Sequence, residues 1–330
     1  MAGNASFDAI MSTTLKHYTP KLEDNIFGNS TLLYWLKEAG NIERVSGGEQ
    51  LVEPLLYAAN TTAGAYAGYD NIATTPQEGI TAAVYDWKQF AVTVAISGLE
   101  EAKNSSVEAK INLLQAKIDQ AELSATDVLN IMLFDNPTTN TRNWNGLSAL
   151  VSTQTNGDSE YVAGSSGTFV GNIDSEATGN TWWRNQLEAT AKALSVADMS
   201  TMFNNCSRGR VRPEFIITGQ ALWEKYESLL QPSQRFTDPK TASAGFENLM
   251  YKSAPVLWDE HIGGATPVTD QMYFLNSKFL KLKVHSDVWF KATPFEKPHG
   301  QDAKYSQILC YGNLVTSNRR FLGVLDNRTA

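Results

Sequence analysis

From Ser105 to Phe134, the apolar positions Val107, Ile111, Leu114, Ile118, Ala121, Ala125, Val128 and Met132 recur at alternating steps of four and three. That spacing draws one apolar stripe along a helix. Lys110, Lys117, Asp119, Glu122 and Asp127 fall on the other side. Ser105 and Glu108 have the spacing of a capping box. Asp135-Asn136-Pro137 ends the helix, because proline disfavours helical backbone in the residue before it. At ~1.5 Å per residue the helix would be roughly 45 Å long, well beyond the usual length. A single stripe without regular flanking charge pairs predicts a spine packed on a sheet rather than a free coiled coil.

Alternation of period two marks the next clear element. Phe90, Val92, Val94 and Ile96 interleave with Ala91, Thr93, Ala95 and Ser97, predicting a strand. A second strand-like run, Glu49 to Tyr57, follows Gly47-Gly48. Between them lies a small-residue stretch, Ala58 to Ala83, holding Tyr66 and Tyr69. A connection of ~26 residues is long for a compact domain. It has too few large apolar side chains for a core of its own, so it reads as an arm steadied by a neighbouring subunit; a plain surface loop is the simpler alternative.

Elsewhere, Leu32, Leu33, Trp35 and Leu36 predict a short amphipathic helix ending near Gly40. Residues 152–181 are rich in Ser, Thr, Gly and Asn and read as an exposed excursion. Trp182 to Phe203 reads as helical, in two pieces broken near Ser195. Glu214 to Thr218 is a buried strand and Gln220 to Leu230 a helix. Pro232 to Gly245 is a polar loop, followed by paired strands around Glu247 to Lys252 and Pro255 to Trp258. From Gln271 the chain is mainly β: Met272 to Leu275, Phe279 to His285, Val288 to Pro294, Tyr305 to Val315 and Arg319 to Leu325.

Composition narrows the function. The chain has 330 residues, 42% hydrophobic and 19% charged, enough for a large core and two domains. A net charge of -8 argues against a surface that grips nucleic acid, though not against one that surrounds it. Met1 to Thr14 lacks a charged region followed by a long apolar run, so no signal peptide is expected. No apolar run approaches ~18 residues, so no transmembrane helix is expected. Cys206 and Cys310 read as reduced and buried.

Candidate chemistry is sparse. Trp258-Asp259-Glu260-His261, with His285-Ser286-Asp287 downstream, could form a metal site or an acid/base pair, but the spacing fits a polar strand end or turn better. No phosphate loop, dinucleotide fingerprint, nucleophile elbow or cysteine-histidine pattern occurs. We expect no catalytic residue, no cofactor and no metal. Ser207-Arg208-Gly209-Arg210-Val211-Arg212 is the densest basic patch and reads as a solvated loop.

Several stretches in order resemble the major capsid proteins of tailed phages (Caudoviricetes). In the first half they are Leu33-Tyr34-Trp35-Leu36-Lys37, Ser46-Gly47-Gly48, Val52-Glu53-Pro54-Leu55-Leu56-Tyr57, Thr75-Pro76-Gln77-Glu78-Gly79-Ile80-Thr81, Tyr85-Asp86-Trp87-Lys88-Gln89 and Ile96-Ser97-Gly98-Leu99-Glu100. In the second half they are Gln234-Arg235-Phe236-Thr237-Asp238, Gly245-Phe246-Glu247-Asn248-Leu249, Met272-Tyr273-Phe274-Leu275-Asn276 and Gly312-Asn313-Leu314. The resemblance covers nearly the whole chain and is weakest over 152–181.

It implies the Hong Kong ninety-seven capsid fold, an α+β architecture. The implied parts are an N-terminal arm over 1–45, an extended loop over 46–98, a peripheral domain over 99–145 and 278–317, and an axial domain over 146–277 and 318–330. It implies hexamers and pentamers closing an icosahedral shell around double-stranded DNA, with a portal and no membrane, in a virion assembled in the host cytoplasm. The same fold serves encapsulin nanocompartments, the alternative reading. Tyr57, Tyr66, Tyr69, Trp87 and Lys88 are expected to contact a neighbour from the extended loop. Gln234, Arg235, Asp238 and Lys240 are expected near the capsomer centre, and Arg319 and Arg320 are further candidates for subunit contact. Some relatives weld their shells through a loop lysine; here Lys88, near the base, is the loop's only lysine, so no cross-link is expected. With about 45 residues ahead of the loop, a separate scaffolding protein is expected, and a cementing protein is a further candidate partner.

Overall fold

The computed structural model describes residues 30–72, 74–103, 107–137, 141–151, 169–175, 177–230 and 249–330. Helix α1 (Thr31–Glu38) is capped by the Ser30 hydroxyl and leads to β1 (Ile42–Val45). A hairpin follows, β2 (Leu51–Leu56) and β3 (Ile80–Tyr85), then β4 (Lys88–Ser97) and a short α2 (Gly98–Lys103). The spine helix is α3 (Val107–Phe134), followed by one turn, α4 (Leu147–Leu150). Next come the short pairs β5 (Phe169–Val170) and β6 (Ile173–Asp174), then β7 (Gln186–Glu188) and β8 (Lys192–Ala193). Helix α5 (Val196–Asn205), β9 (Phe215–Thr218) and α6 (Gln220–Leu229) precede β10 (Leu249–Tyr251), β11 (Ala254–Trp258) and β12 (Met272–Leu275). The chain ends with β13 (Leu280–His285), β14 (Lys291–Ala292), β15 (Ala303–Thr316), β16 (Gly323–Leu325) and β17 (Arg328–Thr329).

Two sheets organise these elements. In sheet one the long β15 is central. β4 pairs along one edge from Ala303 to Gly312, and β13 and β14 pair along the other, with β1 outside β13. Sheet two runs β10-β11-β9-β12-β16-β7. Its strands β9 and β12 are buried at every position, which explains their unbroken apolar runs. One face, through Ile216, Val256, Met272 and Phe274, packs with Met199, Met202 and Phe203 of α5 and Leu222 and Tyr226 of α6. The other, through Phe215, Ile217, Tyr273 and Leu275, joins the main core with sheet one and the spine. Trp35 of α1 stacks on Phe215 at 4.7 Å.

The spine lies chiefly against β4 rather than the late strands. Leu114, Ile118, Ala121 and Ala125 are buried as expected, but the face then turns: Leu129 and Leu133 are buried while Val128 is 38% exposed and Met132 half-buried. Two causes act together. A strict seven-residue repeat drifts by ~20° per repeat on a straight α-helix. The last turns also meet a second element, where Ser148 Oγ donates to the Phe134 carbonyl at 2.7 Å. The expected cap at Ser105 lies outside the described residues.

Trp182 to Phe203 is not mainly helical. Thr181–Trp183 is a 3-10 turn, β7 and β8 follow, and only α5 is α-helical. The expected break at Ser195 is the N-cap of α5, its hydroxyl accepting from the Asp198 amide. The strand expected over Val288 to Pro294 shrinks to Lys291–Ala292, and that expected from Arg319 begins only at Gly323 after a 3-10 turn. Cys206 and Cys310 are buried and not disulfide-bonded; burial pushes the Cys206 thiol up to about 12.

Candidate assembly surface

The β2–β3 hairpin is a two-faced ribbon. Leu51, Glu53 and Leu55 alternate inward with Val52, Pro54 and Leu56 outward. The register sets Val52 opposite Val84, Pro54 opposite Ala82 and Leu56 opposite Ile80. Facing pairs share one side of a ribbon, so this outer side is apolar along its whole length. Leu56 and Ile80 are each 79% exposed at its far end. The ladder continues with the Tyr57 amide donating to the Gly79 carbonyl at 3.0 Å, and Thr61 Oγ1 donates to Gln77 Oε1 at 2.7 Å. Beyond, the tip presents Tyr66, Tyr69 and Ile72 to solvent.

The inner face is fastened to the chain's own body. Leu51, Leu55, Ala83 and Tyr85 enter the main core. Tyr85 Oη donates to the Thr316 carbonyl at 2.9 Å, and the Val84 amide donates to the Gly171 carbonyl at 2.9 Å. Glu53 faces Lys283 at 2.7 Å, and Lys281 lies 3.6 Å from Glu53 and 3.4 Å from Glu43.

The expected loop contacts therefore divide. Tyr66 and Tyr69 are free for a partner, whereas Tyr57 stacks on Trp182 of its own chain at 5.2 Å. Trp87 donates through Nε1 to the Gly48 carbonyl at 2.9 Å and lies 5.6 Å from the His285 ring, closing the hairpin's base. Lys88 donates to the Thr141 carbonyl. Arg319 is not a surface group. It is wholly buried, its guanidinium donating to the Leu150 and Trp183 carbonyls and to Asn185 Oδ1 at 2.8, 3.3 and 2.9 Å. Arg320 is half-buried beside it. Gln234, Arg235, Asp238 and Lys240 lie outside the described residues. The outer ribbon face was missed; the Leu56 and Ile80 positions, out of phase with the inward set, were its only signal.

The acid and imidazole residues weighed for chemistry form a junction. His261 Nε2 sits 2.9 Å from Asp127 on the spine, and its Nδ1 is 3.4 Å from the buried Asp259. Asp259, then Asp127 and Glu260, raise the His261 pKa to about 9 against the opposing effect of burial. His285 and Asp287 are engaged separately, the Asp287 amide donating to His285 Nδ1 at 3.1 Å. Among the described residues, no group of three or more His, Cys, Asp or Glu is arranged to hold a metal ion. Among them, too, no helix is long and apolar enough to cross a membrane.

No protein-family model matches the sequence, and no curated protein matches it. Solved structures do match by fold. The capsid of cyanophage A-1(L) aligns with a TM-score of 0.62 over 87% of this chain and 90% of that one, at 15% identity. The chain has the fold of a capsid subunit. Other matches with the capsid fold include the capsid of a native GTA particle, at a TM-score of 0.53, 10% identity and 89% and 90% coverage. They also include the holo-SrpI encapsulin complex of Synechococcus elongatus, at 0.51, 11% identity and 89% and 87% coverage. Identities this low carry the fold alone, and that fold is the Hong Kong ninety-seven type that the resemblance implied.

Proposed function

We propose that this chain is the major capsid protein of a tailed phage, self-assembling as hexamers and pentamers into an icosahedral shell around double-stranded DNA. The observation that carries the reading is the hairpin: an apolar ribbon face and an exposed tyrosine tip on an arm that is rooted in its own chain. Such a surface is costly to leave in water and is covered when copies assemble. The capsid fold across nearly the whole chain supports it. The role is structural rather than catalytic, and the virion shell is its place.

In this reading, residues 1–45 are the arm and 46–98 the extended loop. The spine and strands β13, β14 and β15 of sheet one belong to a peripheral domain over 99–145 and 278–317, to which β1 of the arm and β4 of the extended loop add as further strands. Sheet two belongs to an axial domain over 146–277 and 318–330. Gln234, Arg235, Asp238 and Lys240 contact neighbours at the capsomer centre, and Tyr66 and Tyr69 do so from the loop tip. A separate scaffolding protein and a portal are its proposed partners, and a cementing protein is a further candidate. The chain co-expressed with its scaffold should give uniform icosahedral particles in negative-stain images; monomers under those conditions would sink the reading.

The likeness to the encapsulin complex supports a second reading, a shell around cargo protein. Purified particles separate the two: nuclease-protected double-stranded DNA means a phage capsid, a discrete enzyme inside means a nanocompartment.

A further inference from the structure

The hairpin forms a two-stranded sheet of its own, and among the described residues no backbone ladder joins it to sheet one. Beyond the two-residue joint Asp86-Trp87, which leads directly into β4 of sheet one, side chains set where it lies. Leu51, Leu55, Ala83 and Tyr85 hold it down, but apolar packing has no direction. The Tyr85 hydrogen bond to the Thr316 carbonyl is directional, yet equivalent carbonyls recur along β15. The Val84 amide bond to Gly171 meets the β5–β6 turn and so ties the hairpin to that turn, not to sheet one. One contact to sheet one has no such substitute. Glu53 is 4% exposed and Lys283 5% exposed, and their charges meet at 2.7 Å in the midst of the apolar contacts. Lys283 Nζ also donates to the Val52 carbonyl at 3.0 Å, so the ammonium holds both the side chain and the backbone of β2.

We propose that the Glu53–Lys283 pair is a register pin that fixes where the hairpin lies on sheet one, and so how far the arm reaches. A slide of one residue along sheet one would put the inward side chains of β2 out of step with those they pack against. A slip of two keeps the same face down and is the competing state. It places Leu51 or Leu55 where Glu53 belongs, and Lys283 is left buried without its carboxylate. A shift toward Lys281 keeps one ion pair but still strands Lys283, because Lys281 is the more exposed of the two. Such a slip displaces the arm by about 7 Å at ~3.3 Å per residue. A buried ion pair commonly adds little stability over an apolar pair of similar volume, while a register role is its best-attested use. The pin acts within a single chain, so it stands or falls independently of shell formation.

Spin labels at Leu56→Cys and Lys291→Cys read the register directly. Both sites are exposed, while the native Cys206 and Cys310 are buried. Pulsed electron resonance on the full chain, diluted with unlabelled chain, should give one narrow distance distribution. Glu53→Leu with Lys283→Met removes both charges at similar volume. It should melt no lower than the parent, yet its distribution should broaden or gain a second maximum displaced by about 7 Å. Glu53→Gln should show the same broadening and serves if the apolar pair does not fold. The exchanged pair, Glu53→Lys with Lys283→Glu, should restore the single maximum. An unchanged single maximum in the charge-free variants would overturn the proposal, and so would an exchanged pair that stays broad.

Discussion

Ile118 is wholly enclosed between the spine and sheet one. An aspartate there would place an unpaired charge in the core, at a cost of several kcal/mol. Ile118→Asp should therefore yield no soluble folded chain, measured by circular dichroism of the soluble fraction; a folded variant would mean the helix is turned the other way. His261 makes a subtler prediction. Its folded pKa, about 9, lies above the ordinary histidine value of 6.5. The junction's contribution is thus fully present below pH ~6.5 and is lost as pH rises through about 9. A shift of this size is worth ~3 kcal/mol at most, and less here, since Asp127 is largely exposed and screened. The melting temperature should fall between those pH values, and His261→Gln should flatten that fall relative to the parent. Equal slopes in parent and variant would remove the junction from the stability account. Reading charge from sequence alone failed at Arg319, where an arginine beside another at a strand end suggests surface. Its acceptors come from residues 150, 183 and 185, and nothing local announces them.

Among the elements, the spine was the most legible, because one helix repeats its own period for 28 residues. Its first buried turns matched the stripe; its last did not, since the element covering them comes from residues 144–150. Gly146 records how close that approach is. A Cβ there would lie 2.1 Å from the Asp135 carbonyl oxygen, against backbone that cannot give way cheaply. Gly146→Ala should cost about 1–3 kcal/mol or more, read as a lowered urea midpoint; an unchanged midpoint would show that the 146 turn moves freely. The stretch 181–193 was illegible for a different reason. Its strands are only two or three residues long and pair with β16 and β17 from the other end of the chain, so no local period could form. The hairpin was readable as an arm, from its composition, but its two faces required the register.

For the molecule as a whole, the apolar outer ribbon is a liability in an isolated chain and an asset in an assembly. Leu56→Asp with Ile80→Asp alters exposed positions, so the melting temperature of the unassembled chain should stay within ~1–2 °C of the parent. Particle yield with scaffold should collapse. Abundant normal particles from this variant would move the assembly surface elsewhere. Shells should also resolve to a single subunit band on a denaturing gel after boiling with reductant, because the loop's one lysine, Lys88, already donates to its own chain.

Sheet two carries a consequence for synthesis. β16 lies inside it, between β12 and β7, and β17 pairs with β8. Arg319, just ahead of β16, ties residues 150, 183 and 185 together. All of these contacts are made by residues 319–329, which are synthesised well after the partners they meet. A nascent chain therefore cannot close its second sheet until residues 323–325 have emerged, and for that interval β12 and β7 hold open edges toward each other with the keystone strand missing. Ending the chain at Asn318 removes no loose tail: it leaves the molecule with its second sheet unfinished.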